Sequence, residues 1–336
     1  MVRPPDGTWY RNTPLTYYTT APSAPGGEDT AMHLITNPFI RRAQGRSLTL
    51  AVTQSERGPG DRLPPAQDEA AAHDSQTGDP LVSVIMPSYN HGRFIRAAID
   101  SVANQTYEKI ELIIIDDGSI DNSLSVIHEA LEKHGSLKAR LYTQENHGAP
   151  HAINRGLRLA HGEFVAILNS DDVYYPQRIE KLLRFAQETG CKFIFSKVDH
   201  ISADGGLLGP DNTMRNLYLS AYEASKQMPH IGLTITRFNL AHSTSNFFMH
   251  RSVIERIGPF YDYKAVHDWD YLLRVFLETE PCLVDEPLLG YRIHGANTFL
   301  ALVEQGKREE ELMFANLRKA LAVKRSGTIN AIRHNL

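Results

Sequence analysis

Apolar positions from Pro80 onward alternate between short continuous runs and helically spaced stripes. Residues 82–86 (VSVIM) form a strand-like run ended by Pro87, and residues 88–92 (SYNHG) have turn chemistry. Phe94, Ile95, Ala98, Ile99 and Val102 then fall near one helical face. Residues 111–115 (ELIII) read as a second buried strand ending in Asp116-Asp117-Gly118-Ser119, and residues 122–134 as a second amphipathic helix. A third strand at 139–143, a third helix at 151–160 and a fourth strand at 164–168 (FVAIL) follow. The fourth strand runs into Asn169-Ser170-Asp171-Asp172, and Pro176 opens a helix to about residue 189. Continuous apolar strands alternating with amphipathic helices predict a mainly parallel sheet covered on both faces. Such sheets bind ligands beyond the carboxyl ends of their strands. That edge carries Pro87, Ser88, Tyr89 and Asn90, then residues 116–119, then residues 169–172.

The first 79 residues follow neither pattern. Ten of the 18 prolines lie in the first 80 residues, this zone has no Lys, and runs such as APSAPGG break any nascent helix or ladder. Its apolar content is too small to offset the cost of ordering the backbone, so residues 1–79 read as a mostly disordered leader. Short order is expected around residues 31–40 and 47–53, and Trp9, Tyr10, Tyr17 and Tyr18 are candidates for a docking motif against the plainer reading of a solvated tail. No apolar core of a secretory signal opens the chain.

Charge and cysteine content narrow the function. A net charge of −4 gives no overall basic field for nucleic acid. Two cysteines cannot staple 336 residues and fit a reducing, cytoplasmic compartment. Cys191 opens the apolar run CKFIFS and reads as core. No uncharged apolar stretch approaches the ~20 residues of a membrane helix. A P-loop, the dinucleotide-binding Gly-x-Gly-x-x-Gly after the first strand, His-Glu-x-x-His and Cys-x-x-Cys are all lacking. Carboxylates stand at the strand ends instead. They repel a diphosphate unless a divalent cation such as Mg²⁺ or Mn²⁺ lies between, which suggests metal-bridged nucleotide binding.

The ordered set VSVIMPSYN, LIIIDDGS, NHGAPHAINRG and GEFVAILNSDD, followed by NFFMHRSVIERIGPFYD, HDWDYLLR and YRIHGAN, resembles the family 2 glycosyltransferases of GT-A fold over about residues 80–298. The resemblance implies an α/β domain at 80–300. A Rossmann-like nucleotide-sugar half (80–190) precedes an acceptor and catalytic-base half (191–300), with a helical segment at 301–336. It implies an inverting, metal-assisted transfer from a nucleotide-diphosphate sugar to an acceptor hydroxyl of a glycan, lipid-linked or protein acceptor.

By resemblance, Asp117 accepts a hydrogen bond from the base, which favours UDP- or dTDP-sugars. Pro87, Ser88, Tyr89 and Asn90 form the base-binding strand end, and Asn154 and Arg155 border the nucleotide. Residues 169–172 occupy the place of the metal-binding Asp-x-Asp motif, with Asn169 in place of its first Asp. Asp171 and Asp172 remain as metal ligands or ribose contacts, with the division between them open, and His294 reaches back as a further ligand. Asp268 matches the catalytic base, with His267 where Glu is frequent. Asp270 is expected to complement the helix dipole, His147 and His151 to be ordinary surface residues, and Asn246 and Phe247 to line the acceptor side. Because Asn169 and His267 depart from the common pattern, a non-catalytic nucleotide-sugar-binding relative stays open. So does an interaction protein with an attached GT-A domain. The segment 304–324 reads as a charged helix packing in cis, dimerising or lying on a membrane surface.

Overall fold

The computed structural model describes residues 79–295 and 302–334. The leader up to residue 78, with Trp9, Tyr10, Tyr17 and Tyr18 and its two candidate ordered segments, lies outside the described residues, as do Asn297 and Thr298.

The chain runs β1 (Val82–Ser88), α1 (Ile95–Ala103), β2 (Ile110–Asp116), α2 (Ser123–Lys133), β3 (Lys138–Thr143), α3 (Ala149–Leu159), β4 (Phe164–Ile167), β5 (Val173–Tyr174), α4 (Arg178–Thr189) and β6 (Phe193–Ile201). Then come α5 (Thr213–Ser225), α6 (Ile231–Ile235), a 3-10 turn (Thr244–Asn246), β7 (Phe248–His250), α7 (Arg251–Ile257), α8 (His267–Glu278), β8 (Cys282–Arg292) and α9 (Val303–His334). The strands form one sheet in the order β3-β2-β1-β4-β7-β6-β8-β5.

β1 and β2 are buried along their whole length, as strands covered on both faces must be. β1 pairs in parallel with β2 and β4, and β2 with β3. Pro87 is tolerated inside β1 because pairing with β4 stops at Ile85↔Ile167, while the β2 side continues to Ser88↔Asp116. α3 lies close against β1: a Cβ on Gly156 would meet Ile85 Cγ2 at 2.3 Å. β7 runs antiparallel to both β4 and β6, joining the parallel half to a second half in which β6 and β8 are parallel. The sheet is thus mostly parallel rather than wholly so.

Two elements have no clear sequence signal. β5 has only two residues and exists by pairing with β8. β8 carries Asp285, Glu286 and Pro287 in mid-strand, and its register with β6 shifts around Ser196–Val198. α5 and α6 lie between β6 and the 3-10 turn.

The cysteine reading is corrected: Cys191 and Cys282 are bonded to each other across 91 residues, at the starts of β6 and β8. α9 extends the expected C-terminal helix to His334 and packs on α8. Met313 and Phe314 are buried, and the Phe314 ring meets Trp269 edge-on at 5.4 Å. Leu312, Leu321 and Val323 are exposed. No helix among the described residues is long and apolar enough to cross a membrane.

Candidate functional site

The carboxyl ends of β1 and β2 are laced together. Asp116 accepts from the Ser119 N–H (3.0 Å) and hydroxyl (2.6 Å), and the Ser119 hydroxyl oxygen accepts from the Asn90 N–H (2.9 Å). Asn90 Oδ1 accepts from the Ile120 N–H at 2.8 Å. Gly118 sits at φ +77° with backbone 3.1 Å from where a Cβ would be, so the turn admits only glycine without strain. Tyr89 projects from this platform with its side chain exposed. The neighbouring Ser88 hydroxyl is buried and has no hydrogen-bond partner among the described residues.

Asp117 is buried and engaged. Oδ1 accepts from Gln144 Nε2 (2.7 Å) and the His147 N–H (3.1 Å), and Oδ2 from the Gly148 N–H (2.7 Å). It therefore ties β2 to the entry of α3, and one acceptor direction on Oδ2 is left over by count.

The segment 169–172 divides its side chains between fold and crevice. Asn169 donates to Ser243 Oγ (3.1 Å) and accepts from Thr244 Oγ1 (3.0 Å), so both ends of its amide are occupied. Asp172 is buried and accepts from the Ser245 hydroxyl (2.6 Å) and the Arg292 N–H (2.8 Å). Burial pushes its pKa well up, and the Asp171 charge adds to this.

Asp171 instead joins two histidines. His294 Nε2 lies 3.1 Å and His91 Nε2 3.9 Å from Asp171 Oδ2. Burial opposes ionisation of Asp171, but the His294 hydrogen bond and the His91 and His294 charges outweigh it and hold its pKa below the usual value. One ligand atom from each of the three residues lies within 4.8 Å of the others. His91 Nδ1 is bonded to Ser170 Oγ at 2.8 Å, an outer contact of the kind that orients a ligating imidazole and would leave Nε2 to a metal ion. Two imidazoles and a carboxylate fit Mn²⁺ better than Mg²⁺. Asp172, placed with Asp171 by sequence, is not in this trio. His91 is, and was missed; its only signal was its place directly after Tyr89-Asn90.

Asp268 stands in the first turn of α8. Its Oδ1 accepts from the Trp269 N–H and its Oδ2 from Asn239 Nδ2, each at 2.7 Å. Burial raises its pKa, countered by the His267 charge and these two donors. Asp270 binds Arg274 Nε at 2.8 Å along the same helix.

Burial raises the pKa of the Tyr291 hydroxyl on β8, and the charges of Asp172, Asp171 and Asp268 raise it further.

Other expected site residues are committed to the fold. Asn154 Nδ2 donates to the Phe260 carbonyl and Asn154 Oδ1 accepts from the Phe260 N–H, both at 2.8 Å. Arg155 donates to the Thr143 carbonyl at 2.7 Å. Asn246 is fully buried, bonding Ser196, Ala241 and the buried Arg178, so it belongs to the core and not to the acceptor side. Arg292 holds the backbone carbonyls of Asp171, Ser202 and Ala203. His147 and His151 stack loosely, and His151 Nε2 lies 3.7 Å from Asp262.

Residues 83–258 match the model of the family described as Glycosyl transferase family 2. An uncharacterized glycosyltransferase of Rickettsia prowazekii is 31% identical over 249 residues, 71% of this chain and 72% of its own. The mannosyltransferase PcManGT from Pyrobaculum calidifontis, solved in complex with GDP-Man and Mn²⁺, superposes with a TM-score of 0.56 at 19% identity, over 72% of this chain and 65% of its own. S. aureus TarS 1-349, in complex with UDP-GlcNAc, superposes with a TM-score of 0.50 at 18% identity, over 66% of this chain and 61% of its own. The chain spans less than two thirds of the length of these two structures. At such identities they show the shared GT-A fold.

Proposed function

The chain belongs to glycosyl transferase family 2, and from that premise we propose that it performs an inverting, Mn²⁺-assisted transfer of a sugar from a nucleoside-diphosphate sugar to an acceptor hydroxyl. The observation that carries this reading is the His91–Asp171–His294 trio, gathered from the loops after β1 and β4 and the end of β8, in a chain that also holds the Asp268 carboxylate between two donors. A donor diphosphate belongs at the first and an acceptor hydroxyl at the second.

The nucleotide would lie over the β1 and β2 ends. Tyr89 offers it an exposed ring and Asp117 Oδ2 a remaining acceptor site, with the buried Ser88 hydroxyl behind them. Pro87 and Asn90 shape that platform. The ion held by Asp171, His91 and His294 would neutralise the charge on the leaving diphosphate. Asp268 accepts the proton of the acceptor hydroxyl as that oxygen bonds to the sugar C1. The bond from C1 to the diphosphate oxygen breaks, and its electron pair leaves with the nucleoside diphosphate. Attack from the face opposite the leaving group inverts the anomeric centre.

The test is release of nucleoside diphosphate from UDP-GlcNAc, UDP-glucose, dTDP-glucose and GDP-mannose with and without Mn²⁺, in wild type and Asp268→Asn. The wild type should turn over at least one donor in a Mn²⁺-dependent way. Asp268→Asn should lose at least a hundredfold in rate while keeping Mn²⁺-dependent nucleotide binding. Normal turnover by Asp268→Asn would remove the base assignment, and no turnover of any donor would favour a binding relative.

A further inference from the structure

Asn239 belongs to the stretch between α6 and the 3-10 turn, which carries no recognisable motif. Its Nδ2 donates to Asp268 Oδ2 at 2.7 Å. Its Oδ1 is buried and accepts no hydrogen bond among the described residues. An unsatisfied buried carbonyl destabilises the fold, so this amide is not placed for its own sake. The backbone around it is nevertheless fixed. The Asn239 carbonyl accepts from the His242 N–H at 3.0 Å, His242 adopts φ 72°, and Leu240 and Ala241 are buried. A second clamp closes from the other side, where Trp269 N–H holds Asp268 Oδ1 and the Trp269 indole donates to the Ile235 carbonyl at 2.8 Å.

We infer that Asn239 is a positioning residue for Asp268, holding that carboxylate ionised and fixed in rotation so that its remaining lone pairs meet an acceptor hydroxyl. The inference rests on the reading of Asp268 as the base. Asn239 touches no reacting atom. A carboxamide at this position donates without competing for the proton, which neither a carboxylate nor an aliphatic side chain achieves. Burial alone would favour the protonated acid, and a protonated Asp268 cannot act as base. The other ionisable groups around Asp268 are His267 and Asp270 on its own helix, Glu309 of α9, which accepts from the Lys264 and Ala265 N–H groups just ahead of α8, and Tyr291 of β8, whose hydroxyl feels the Asp268 charge. None of them donates a hydrogen bond to Asp268 among the contacts described.

The experiment is a carboxyl-carbon NMR titration of the full chain labelled at Asp, with the Asp268 resonance assigned by its loss in Asp268→Asn. Asn239→Ala should raise the Asp268 titration midpoint by about one pH unit, the loss of one donor to the ionised form. Asn239→Asp keeps the side-chain size and should raise it further, because two adjacent carboxyls resist double ionisation. A midpoint unmoved in either folded variant overturns the inference, whatever happens to activity. The base reading fails separately, by turnover in Asp268→Asn.

Discussion

The backbone N–H of Arg292 donates to Asp172 Oδ1 at 2.8 Å, joining residues 120 positions apart. This bond and the Ser245 hydroxyl at 2.6 Å commit Asp172 to pinning the end of β8 and the 3-10 turn against the loop after β4. Its neighbour Asp171 faces His91 and His294. Two adjacent carboxylates that look equivalent in sequence thus have different environments. Asp171→Asn should weaken Mn²⁺ binding at least tenfold with little change in melting temperature. Asp172→Ala should lose roughly 1–3 kcal/mol of stability, the usual penalty for leaving buried donors unpaired, yet keep Mn²⁺ affinity within about threefold. Calorimetric Mn²⁺ titration beside thermal melting separates the two, and the opposite pattern would move the metal to Asp172.

If the trio holds the proposed ion, its two imidazoles favour Mn²⁺ over Mg²⁺. His91→Ala removes one nitrogen ligand and should reduce Mn²⁺ affinity about ten- to a hundredfold, by analogy with lost ligand support, while changing the weaker Mg²⁺ affinity less. The free Mn²⁺ signal in electron paramagnetic resonance reads this without any turnover. Ser170→Ala removes the hydroxyl on His91 Nδ1 and should give a smaller loss in the same direction. An unchanged Mn²⁺ affinity in His91→Ala would place His91 outside the site.

The parallel half of the sheet was legible because its strands are buried on both faces and so read as unbroken runs, such as LIII in β2. The second half was not. β8 interrupts its apolar residues with Asp285, Glu286 and Pro287, and its pairing with β6 slips there. β5 has no signal of its own because two residues carry no period. The acidic motifs announced where chemistry would lie, but not how each side chain is spent. Asn154 and Asn246 look like polar site residues in sequence, yet their amides satisfy buried backbone groups. That accounting depends on contacts 106 and 50 residues away in the chain. Asn239 was invisible for the same reason, since its partner lies 29 residues further on.

A second pair of histidines should govern acid stability. His200 Nε2 and His242 Nε2 are 3.0 Å apart, packed among the rings of Tyr218 and Tyr291. Burial lowers His200 to about 4, helped by the Arg215 charge, and lowers His242 to about 3, helped by His200. Their folded-state values lie below the unfolded value of about 6.5, so the unfolded chain binds more protons beneath that pH. Stability is then full above about pH 6.5 and falls as pH drops toward 4 and 3. His242→Asn tolerates the positive φ and removes one of these groups. Between pH 6.5 and 5.5 it should lose less stability than wild type, by roughly 1 kcal/mol. Parallel denaturation slopes in urea across that window would show that the pair does not titrate as described.

The Cys191–Cys282 bond should be visible in stability as well. It links the first turns of the chain into β6 and β8, enclosing α5 to α8 within its 91-residue separation. Closing a loop of that length restricts the unfolded chain far more than the folded one, where β6 and β8 already pair from Ile194↔Cys282 onward. The expected contribution is about 2–4 kcal/mol. Reductant should therefore lower the melting temperature of the wild type. Cys191→Ser and Cys282→Ser should each melt at that lower temperature and be insensitive to reductant. The site lies elsewhere: His91, Asp171 and His294 come from the loops after β1 and β4 and from the end of β8. Mn²⁺ affinity should accordingly be equal in oxidised and reduced protein. A melting temperature unmoved by reductant, with both thiols shown to be paired beforehand, would mean that the β6–β8 pairing alone holds this half of the sheet.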